Sequence, residues 1–329
     1  MNSIAVIGGG SWATALIKIL SNSAINIEWW VRNEETVAFI RKYHHNPNYL
    51  SDVEVDTNKV HVSSNLKVVV SKSDCVILAI PAAFLSVALN TLKAEDFKNK
   101  YVYSAIKGIV PEQNLIVGEF MNQHFGIPIN NVGVITGPCH AEEVALEKLS
   151  YLTIAGIDVK ATSELAAQMN CRYIKTVVSD DIYGTEYAAV LKNIMALASG
   201  ICHGLGYGDN FHAVLIANAI QEIKRFVDKV HPIKRDISDS AYLGDLLVTA
   251  YSQFSRNRTF GNMIGKGYSV KSAQMEMNMI AEGFYAAKCI HEINKQYNVD
   301  LPICNAVYNI LYEKIAPRVE IKLLSDKLS

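Results

Sequence analysis

The chain has 329 residues, of which 50% are hydrophobic and 19% are charged. This mix is typical of a folded protein and not of a disordered one. Because one hydrophobic core rarely fills so long a chain, the length predicts two domains. Basic and acidic residues nearly balance, at 31 and 32, and no run of Lys or Arg could neutralise a row of phosphates. We therefore expect no nucleic-acid partner.

The start of the chain argues against a targeting segment. Met1 leads directly into the apolar residues 4–7, with neither a basic region nor a cleavage site. Polar residues interrupt every apolar stretch well before the roughly 18 residues that a spanning helix needs. The sequence therefore predicts a cytoplasmic protein with no integral membrane segment.

The placement of cysteine and histidine predicts no metal site. The six cysteines are scattered without a C-x-x-C pair, in a chain too long to need disulfides. The nine histidines form no H-E-x-x-H motif and no cluster with cysteine or carboxylate at ligand spacing. We therefore expect free, buried thiols.

The first half of the chain predicts parallel strands that alternate with helices. Short runs rich in Val, Ile and Tyr occur at residues 4–7, 27–31, 75–80, 101–104, 132–135, 152–155 and 173–178. Several of these runs are almost continuously apolar, as expected for strands buried on both faces of a sheet. Residues 1–180 are therefore predicted to form a doubly wound, mostly parallel α/β domain.

The second half predicts helices instead. After Asp181 the strand-like runs stop, and helical spacing is found at residues 186–199, 213–230 and 282–297. A glycine-rich turn is expected at residues 204–208. We predict that residues 181–329 form an all-α domain that carries substrate-binding and catalytic residues.

A glycine-rich turn follows the first predicted strand. The segment Gly8-Gly-Gly-Ser-Trp-Ala fits the pattern G-x-G-x-x-[GA] and opens an apolar helical run. In this pattern Gly8 makes the tight turn, and Gly10 lets the backbone approach a pyrophosphate at the helix N-terminus. The order of strand, turn, helix and strand predicts a Rossmann-like domain that binds a dinucleotide. A glycine turn without a ligand is the alternative.

The end of the second predicted strand indicates which dinucleotide is bound. The strand ends in Arg32-Asn33, where a cation can accommodate a 2′-phosphate and no carboxylate excludes it. Glu34 and Glu35 follow closely and could be helix-start residues or ligands of a ribose diol. We expect NADP, with NADPH favoured, and keep NAD as the alternative.

Polar residues also stand where a bare fold does not require them. Lys107 lies at the C-terminal end of a predicted strand, where open α/β sheets bind ligands. Lys192 and Asn193 interrupt an otherwise apolar helix, in which a lysine would be awkward to solvate. The pattern favours a functional Lys192 over a side chain that reaches out to solvent.

These motifs occur in a specific order along the chain. They are Gly8-Gly-Gly-Ser-Trp-Ala, Ser104-Ala-Ile-Lys-Gly, Gly137-Pro-Cys-His-Ala, Leu191-Lys-Asn, Leu243-Gly-Asp, Ser255-Arg-Asn-Arg, Ala281-Glu-Gly-Phe and Leu301-Pro-Ile-Cys. This order resembles the bacterial soluble NAD(P)-dependent glycerol-3-phosphate dehydrogenases, over nearly the whole chain except residues 316–329. The glycine motif alone is weak, whereas the Leu-Lys-Asn and Ser-Arg-Asn-Arg segments are specific.

The resemblance implies reduction of dihydroxyacetone phosphate to glycerol 3-phosphate for phospholipid synthesis. Lys192 would be the acid/base that exchanges a proton with the reacting oxygen, with Lys107 and Asp245 as its catalytic partners. The implied substrate contacts are Lys107, Gly137, Cys139, Lys192, Asn193, Asp245, Thr249 and, for the phosphate, Ser255, Arg256 and Asn257. The expected cofactor contacts are Gly8, Gly10, Ser11, Trp12, Arg32, Lys107, Ala141, Arg256, Ile280 and Glu282.

One position departs from the family pattern. The family usually has a hydroxyl where this chain has Cys139, and a thiol is a weak hydrogen-bond donor. The departure puts that single substrate contact in doubt and leaves the other implied contacts unchanged.

Two other functions stay open at the level of sequence. A related two-domain 3-hydroxyacid dehydrogenase would not require Ser255-Arg256-Asn257, and a non-enzymatic NAD(P)-binding sensor would use neither Lys192 nor Asp245. The apolar helical half could bury a subunit contact, so a homodimer is considered. The tail at residues 316–329 is expected to be a frayed helix, with contact to a partner as the alternative.

Overall fold

The computed structural model of the protein describes residues 1–277 and 281–329. Contacts within the chain divide it into two compact units. The first contains Met1–Ile106 and Val117–Ile182, and the second contains Lys107–Ile116 and Tyr183–Ser329. A short segment from the middle of the α/β half therefore belongs to the same unit as the helical half.

An eight-stranded sheet forms the centre of the first unit. In chain order the strands of the protein are β1 (Ser3–Ile7), β2 (Asn26–Trp30), β3 (Val60–Ser63), β4 (Cys75–Leu78), β5 (Tyr101–Ser104), β6 (Ile109–Val110), β7 (Leu115–Ile116), β8 (Val132–Thr136), β9 (Ser150–Gly156) and β10 (Ile174–Ser179). The strands β6 and β7 lie outside this sheet and form an antiparallel hairpin in the second unit.

The order of strands in the sheet is β10-β9-β8-β5-β4-β1-β2-β3. Neighbouring strands are parallel except β8 and β9, which are antiparallel. The predicted doubly wound, mostly parallel sheet is thus confirmed. The sequence analysis missed β3, because it is short and only Val60 and Val62 in it are fully buried. The strand order reverses at β1, and open α/β sheets bind ligands beside such a reversal.

Helices follow most strands of the first unit. They are α1 (Ser11–Leu20), α2 (Glu34–Tyr43), α3 (Leu66–Ser71), α4 (Leu85–Leu89), α5 (Val117–Phe125), α6 (Ala141–Ala145) and α7 (Val159–Met169). Short polar side chains start three of these helices, because Asn33, Asn65 and Asp158 each accept a hydrogen bond from a backbone N–H of the first turn.

The second half of the chain is helical, as predicted. Its helices are α8 (Ile182–Gly204), α9 (Asp209–Val230), α10 (Asp245–Tyr251), α11 (Arg256–Gly265), α12 (Val270–Glu276), α13 (Glu282–Tyr297), α14 (Pro302–Leu311) and α15 (Pro317–Ser325). A π-helical turn, Ser240–Gly244, leads into α10. Helix α8 is buried along nearly its whole length, which explains its mostly apolar sequence. Within the part of the chain that the structure describes, no helix is long and apolar enough to cross a membrane.

The C-terminal tail differs from the expectation of a frayed helix. Ile321 and Leu324 are 0% and 2% exposed and belong to the apolar core of the second unit. Pro317 occupies the first turn of α15, where its missing N–H costs nothing. At the end of the chain, the backbone of Ser329 exchanges hydrogen bonds with the side chain of Asn218. The tail is therefore a packed helix.

Helices α8 and α11 touch through glycines. A Cβ atom built on Gly200 would lie 2.1 Å from the carbonyl oxygen of Arg258, and one built on Gly261 would lie 2.2 Å from the carbonyl oxygen of Leu197. Backbone thus meets backbone, and no side chain fits between the helices. The contact fixes the position of α11 on the helix that carries Lys192.

We predict that Gly261→Ala destabilises the protein although alanine favours helix. The new methyl group must push α11 away from the Leu197 carbonyl, and overpacking of this kind costs about 1–3 kcal/mol. This cost outweighs the roughly 1 kcal/mol gained in helix propensity. Urea unfolding at constant pH would measure the difference in the free energy of unfolding.

Gly208→Ala is the matched control for this substitution. A Cβ atom at Gly208 meets no atom within 4 Å. Gly208 is also the N-cap of α9, so alanine should cost no more than a weakened cap. A Gly261→Ala protein as stable as the parent would contradict the close contact between α8 and α11.

Candidate active site

The glycine turn between β1 and α1 has the shape that the motif predicts. Gly8 has a φ of +144°, and a Cβ atom there would lie 2.3 Å from the carbonyl oxygen of Ala79. Its own carbonyl oxygen accepts a hydrogen bond from Trp29 Nε1 at 2.6 Å. Only glycine can occupy this position without strain.

The N-terminus of α1 is suited to a pyrophosphate. Gly10 is its N-cap and provides no side chain to the N–H groups of the first turn. A Cβ atom on Gly10 would meet nothing within 4 Å, so the backbone is open to a ligand on that side. Ser11 and Trp12 follow, and Trp12 Nε1 is buried without a hydrogen-bond partner among residues 1–277 and 281–329. Uncapped N–H groups, the helix dipole and an unused indole donor fit a dinucleotide.

A buried asparagine holds the glycine turn in place. Asn46 is 0% exposed, and its Nδ2 donates to the carbonyl oxygen of Gly9 at 3.1 Å and to Thr14 Oγ1 at 2.9 Å. The sequence analysis missed this residue because it lies in a loop without a motif, 37 residues from the glycine that it contacts.

Arg32 lies where the sequence places it, directly after β2. Its side chain is exposed and lines a groove of about 620 Å³ in the first unit. Lys67 lines the same groove. Both cations therefore stand at the end of the sheet where the adenosine half of a dinucleotide binds in this fold.

The second unit brings three predicted catalytic residues into direct contact. Lys107 Nζ lies 3.1 Å and 3.0 Å from the two carboxylate oxygens of Asp245. Lys192 Nζ donates a hydrogen bond to Asp245 Oδ1. The side chains of Lys107, Lys192 and Asp245 are 20%, 5% and 1% exposed. A single carboxylate thus bridges two ammonium groups, one of which is almost completely buried.

This arrangement sets the protonation behaviour of the cluster. Burial lowers the pKa of Lys192 below its ordinary value of 10.5, Asp245 opposes the shift, and the ammonium group of Lys107 adds to it. Burial alone would raise the pKa of Asp245, but the two lysines hold that pKa below its ordinary value of 3.8. Asp245 therefore stays ionised, whereas Lys192 can lose its proton more readily than a free lysine.

Two polar side chains orient the lysines. Thr249 Oγ1 accepts a hydrogen bond from Lys192 Nζ at 2.9 Å and donates to the carbonyl oxygen of Asp245 at 2.6 Å. Asn193 Nδ2 donates to the carbonyl oxygen of Lys107 at 2.6 Å. Asn193 and Thr249, which are predicted substrate contacts, therefore also contact the predicted catalytic residues.

The N-terminus of α11 carries the residues predicted to bind phosphate. Ser255 is the N-cap, and its Oγ accepts from the backbone N–H of Arg258 at 3.3 Å. Arg256 is the exposed first residue of the helix. Asn257 Oδ1 accepts from the backbone N–H of Gly283 at 2.9 Å, and no hydrogen bond of its Nδ2 is found in the described parts of the chain. An arginine, an amide and a helix N-terminus are donors suited to an anion, and we refer to this predicted site as the anion site.

Gly283, which lies in the Ala281-Glu-Gly-Phe motif but was given no role of its own, links this anion site to the lysine cluster. A Cβ atom on Gly283 would lie 2.6 Å from the carbonyl oxygen of Asn193, the residue after Lys192. The backbone N–H of Gly283 is the donor to Asn257. Helices α8, α11 and α13 therefore meet at this glycine. The lysine cluster and the anion site lie in the same region of the second unit.

The remaining predicted contacts are spread over both units. Gly137, with a φ of +120°, and the half-buried Cys139 follow β8, and Ala141 begins α6 in the first unit. Glu282 begins α13 in the second unit. Ile280 lies outside the described residues. The roles of these residues stay predictions.

Comparison with known proteins identifies the family of each half of the chain. Residues 3–162 match the family model of the NAD-dependent glycerol-3-phosphate dehydrogenase N-terminus, and residues 181–322 match that of the C-terminus. The second match reaches into α15, so the likeness extends further than the motifs indicated.

Individual relatives cover almost the whole chain. This chain is 36% identical over 328 residues to a glycerol-3-phosphate dehydrogenase [NAD(P)+] of Exiguobacterium, and the match covers 98% of this chain and 95% of the relative. The corresponding enzyme of Staphylococcus carnosus is 32% identical over 329 residues, covering 99% of this chain and 98% of the relative.

A solved structure shows the same architecture. The crystal structure of glycerol-3-phosphate dehydrogenase from Coxiella burnetii has a TM-score of 0.88 and 26% identity, and the match covers 98% of both chains. Because family models cover both halves and full-length relatives share about a third of their residues with it, this chain belongs to the NAD-dependent glycerol-3-phosphate dehydrogenase family.

Proposed function

We propose that this protein reduces dihydroxyacetone phosphate to glycerol 3-phosphate with NADPH or NADH, for use in phospholipid synthesis. The observation that carries the proposal is the buried cluster of Lys107, Asp245 and Lys192. Relatives named for this activity support it. A spectrophotometric assay of NADPH and NADH oxidation with dihydroxyacetone phosphate tests it. Oxidation no faster than in the absence of the ketone would contradict it.

The reaction needs a hydride, a proton and a positive environment for the oxygen. When bound, the reduced nicotinamide supplies the hydride to the carbonyl carbon. Lys192, as an ammonium group, gives its proton to the ketone oxygen, which becomes the hydroxyl of the product, and Lys192 becomes a neutral amine. Lys107 stabilises the negative charge that develops on this oxygen. Asp245 holds both lysines in position.

The anion site at the N-terminus of α11 suits the substrate phosphate. Arg256 can form two parallel hydrogen bonds to a phosphate, and Asn257 Nδ2 and the first N–H groups of the helix add further donors. A 3-hydroxyacid substrate would not need this set. A sensor without catalysis would not need the lysine cluster. Neither alternative is therefore favoured.

We assign the dinucleotide-binding domain to residues 1–180 and catalysis to residues 181–329 together with Lys107, while Arg256, Ile280 and Glu282 stay predicted cofactor contacts from the second half. Gly137 and Cys139 are proposed as further substrate contacts. Arg32 favours NADPH, because only this cofactor carries a 2′-phosphate. A homodimer and a cytoplasmic location stay predictions from the sequence.

We predict that Lys192→Met abolishes most turnover and spares cofactor binding. Methionine has a similar length and no proton to donate, so kcat should fall by about two to four orders of magnitude. Fluorescence titration with NADPH should give an unchanged Kd, because Lys192 is not among the expected cofactor contacts. Turnover within about tenfold of the parent would refute the assignment of the acid.

The pH dependence of the two reaction directions should have opposite signs. Reduction needs protonated Lys192, so kcat for reduction should fall as pH rises through the lowered pKa of Lys192. Oxidation needs the neutral amine, so its kcat should rise over the same range. In Lys107→Met, loss of the neighbouring ammonium should raise the pKa of Lys192 and move both midpoints to higher pH. Midpoints that stay in place would show that another group titrates.

We predict that Arg256→Lys weakens the use of dihydroxyacetone phosphate far more than that of unphosphorylated dihydroxyacetone. Loss of the paired hydrogen bonds should lower kcat/KM for the phosphorylated ketone by about ten- to a hundredfold. Arg258→Lys is the matched control, because residues two apart on a helix do not share a face. NADPH affinity is measured separately. Equal losses with both ketones and unchanged cofactor binding would exclude phosphate recognition by Arg256.

A further inference from the structure

The groove beside Arg32 contains more than the residue that the sequence indicates. It has a volume of about 620 Å³ and lies entirely in the first unit. We call it the Arg32 groove. Its lining includes Arg32, Ser64, Asn65, Lys67, Phe84 and Val87. These residues come from the ends of β2 and β3 and from the segment after β4.

Part of the lining of the Arg32 groove is apolar and exposed. Phe84 and Val87 are 50% and 68% exposed, although side chains of this type usually avoid water. They stand in the segment after β4, the strand beside β1 at the reversal of the strand order. An exposed aromatic ring and a branched aliphatic group in a groove suit a flat, apolar ligand surface such as a purine base.

Other lining residues of the groove are polar or cationic. In the parallel pair of β2 and β3, Trp30 lies opposite Ser63, so the residues that follow these strands emerge side by side. Arg32 follows β2, and Lys67 lies in the first turn of α3 after β3. Two positive side chains, from neighbouring strand ends, therefore line the groove.

Lys67 is able to contribute its charge to a ligand. Its side chain is 65% exposed, and its Nζ lies 3.8 Å from Asp96 Oδ1. A pair this long and this exposed contributes little to stability, so the ammonium group can turn to a ligand in the groove at small cost.

The acidic residue Glu34 is hydrogen-bonded to one of the residues that line the groove. The carboxylate of Glu34 accepts a hydrogen bond from the hydroxyl of Ser64, which lines the Arg32 groove. Its negative charge would repel a phosphate, whereas it could accept a hydrogen bond from a ribose hydroxyl. The groove thus carries one feature for each form of the cofactor.

We propose that Lys67 forms, together with Arg32, the binding site for the 2′-phosphate of NADPH, and that Glu34 opposes this preference. The inference rests on the proposed use of NAD(P)H and adds to it two residues that decide between the two forms. Substitution of Lys67 should therefore lower the preference for NADPH over NADH, and substitution of Glu34 should raise it. Neither substitution alters a residue of the lysine cluster.

The experiment measures dissociation constants of NADPH and NADH by fluorescence titration for the full-length protein. Lys67→Gln should weaken NADPH binding by about five- to tenfold and leave NADH binding within twofold. Glu34→Gln should strengthen NADPH binding by about two- to threefold. The control is Lys72→Gln, an exposed lysine at the end of the same helix that does not line the groove and should change neither constant.

A second probe isolates the phosphate from the rest of the cofactor. Adenosine 2′,5′-bisphosphate and adenosine 5′-monophosphate compete with NADPH, and only the first carries the 2′-phosphate. Lys67→Gln should weaken competition by the bisphosphate alone. Equal changes for both probes, or none, would overturn the proposal, as would a parent protein that binds neither dinucleotide. A parent that binds both but does not reduce dihydroxyacetone phosphate would sink the proposed function, and the selectivity of binding would still decide the role of Lys67.

Discussion

The candidate site depends on one carboxylate, that of Asp245, which is buried between two ammonium groups. Removing an ion from water costs several kcal/mol, so neither the carboxylate nor the ammonium of Lys192 would stay ionised there alone. The ammonium groups of Lys107 and Lys192 and the carboxylate of Asp245 together carry a net charge of about +1. An oxygen that becomes negative during a reaction completes the neutralisation, so the protein is electrostatically prepared for the transition state more than for the free ketone.

Direct backbone contacts between helices fix the position of this cluster relative to the anion site. Lys192 lies on α8, Asp245 begins α10, and Arg256 begins α11. The helices α8 and α11 are held by backbone contacts at Gly200 and Gly261, which leave less freedom than flexible side chains would. A misplacement of even about 1 Å can cost a large factor in rate, so such contacts suit a site whose groups must act together.

Much of the fold was predictable because buried strands and amphipathic helices leave clear periodic patterns. The bounds of α13 were predicted to the residue. Lys192 was identified because a lysine inside an apolar helix is costly to bury unless it has a function. Asn46 lies in no motif, and Gly283 lies in one that assigns it no role, because the importance of both arises from contacts with residues far away in the chain. The strand β3 was missed because only two of its four residues are buried, and only tertiary contacts reveal that Lys107–Ile116 belongs to the second unit.

The path of the chain limits whether either unit could be recombined with a unit of another protein. The chain passes from one unit to the other after Ile106, after Ile116 and again after Ile182. A fragment ending at Ile182 would keep the β6–β7 hairpin but lose the helices whose core buries its isoleucines, and the exposed apolar surface would favour aggregation. Recombination at the crossing after Ile116 or after Ile182 would also separate Lys107 from Asp245. The first unit is therefore not an independently transferable module.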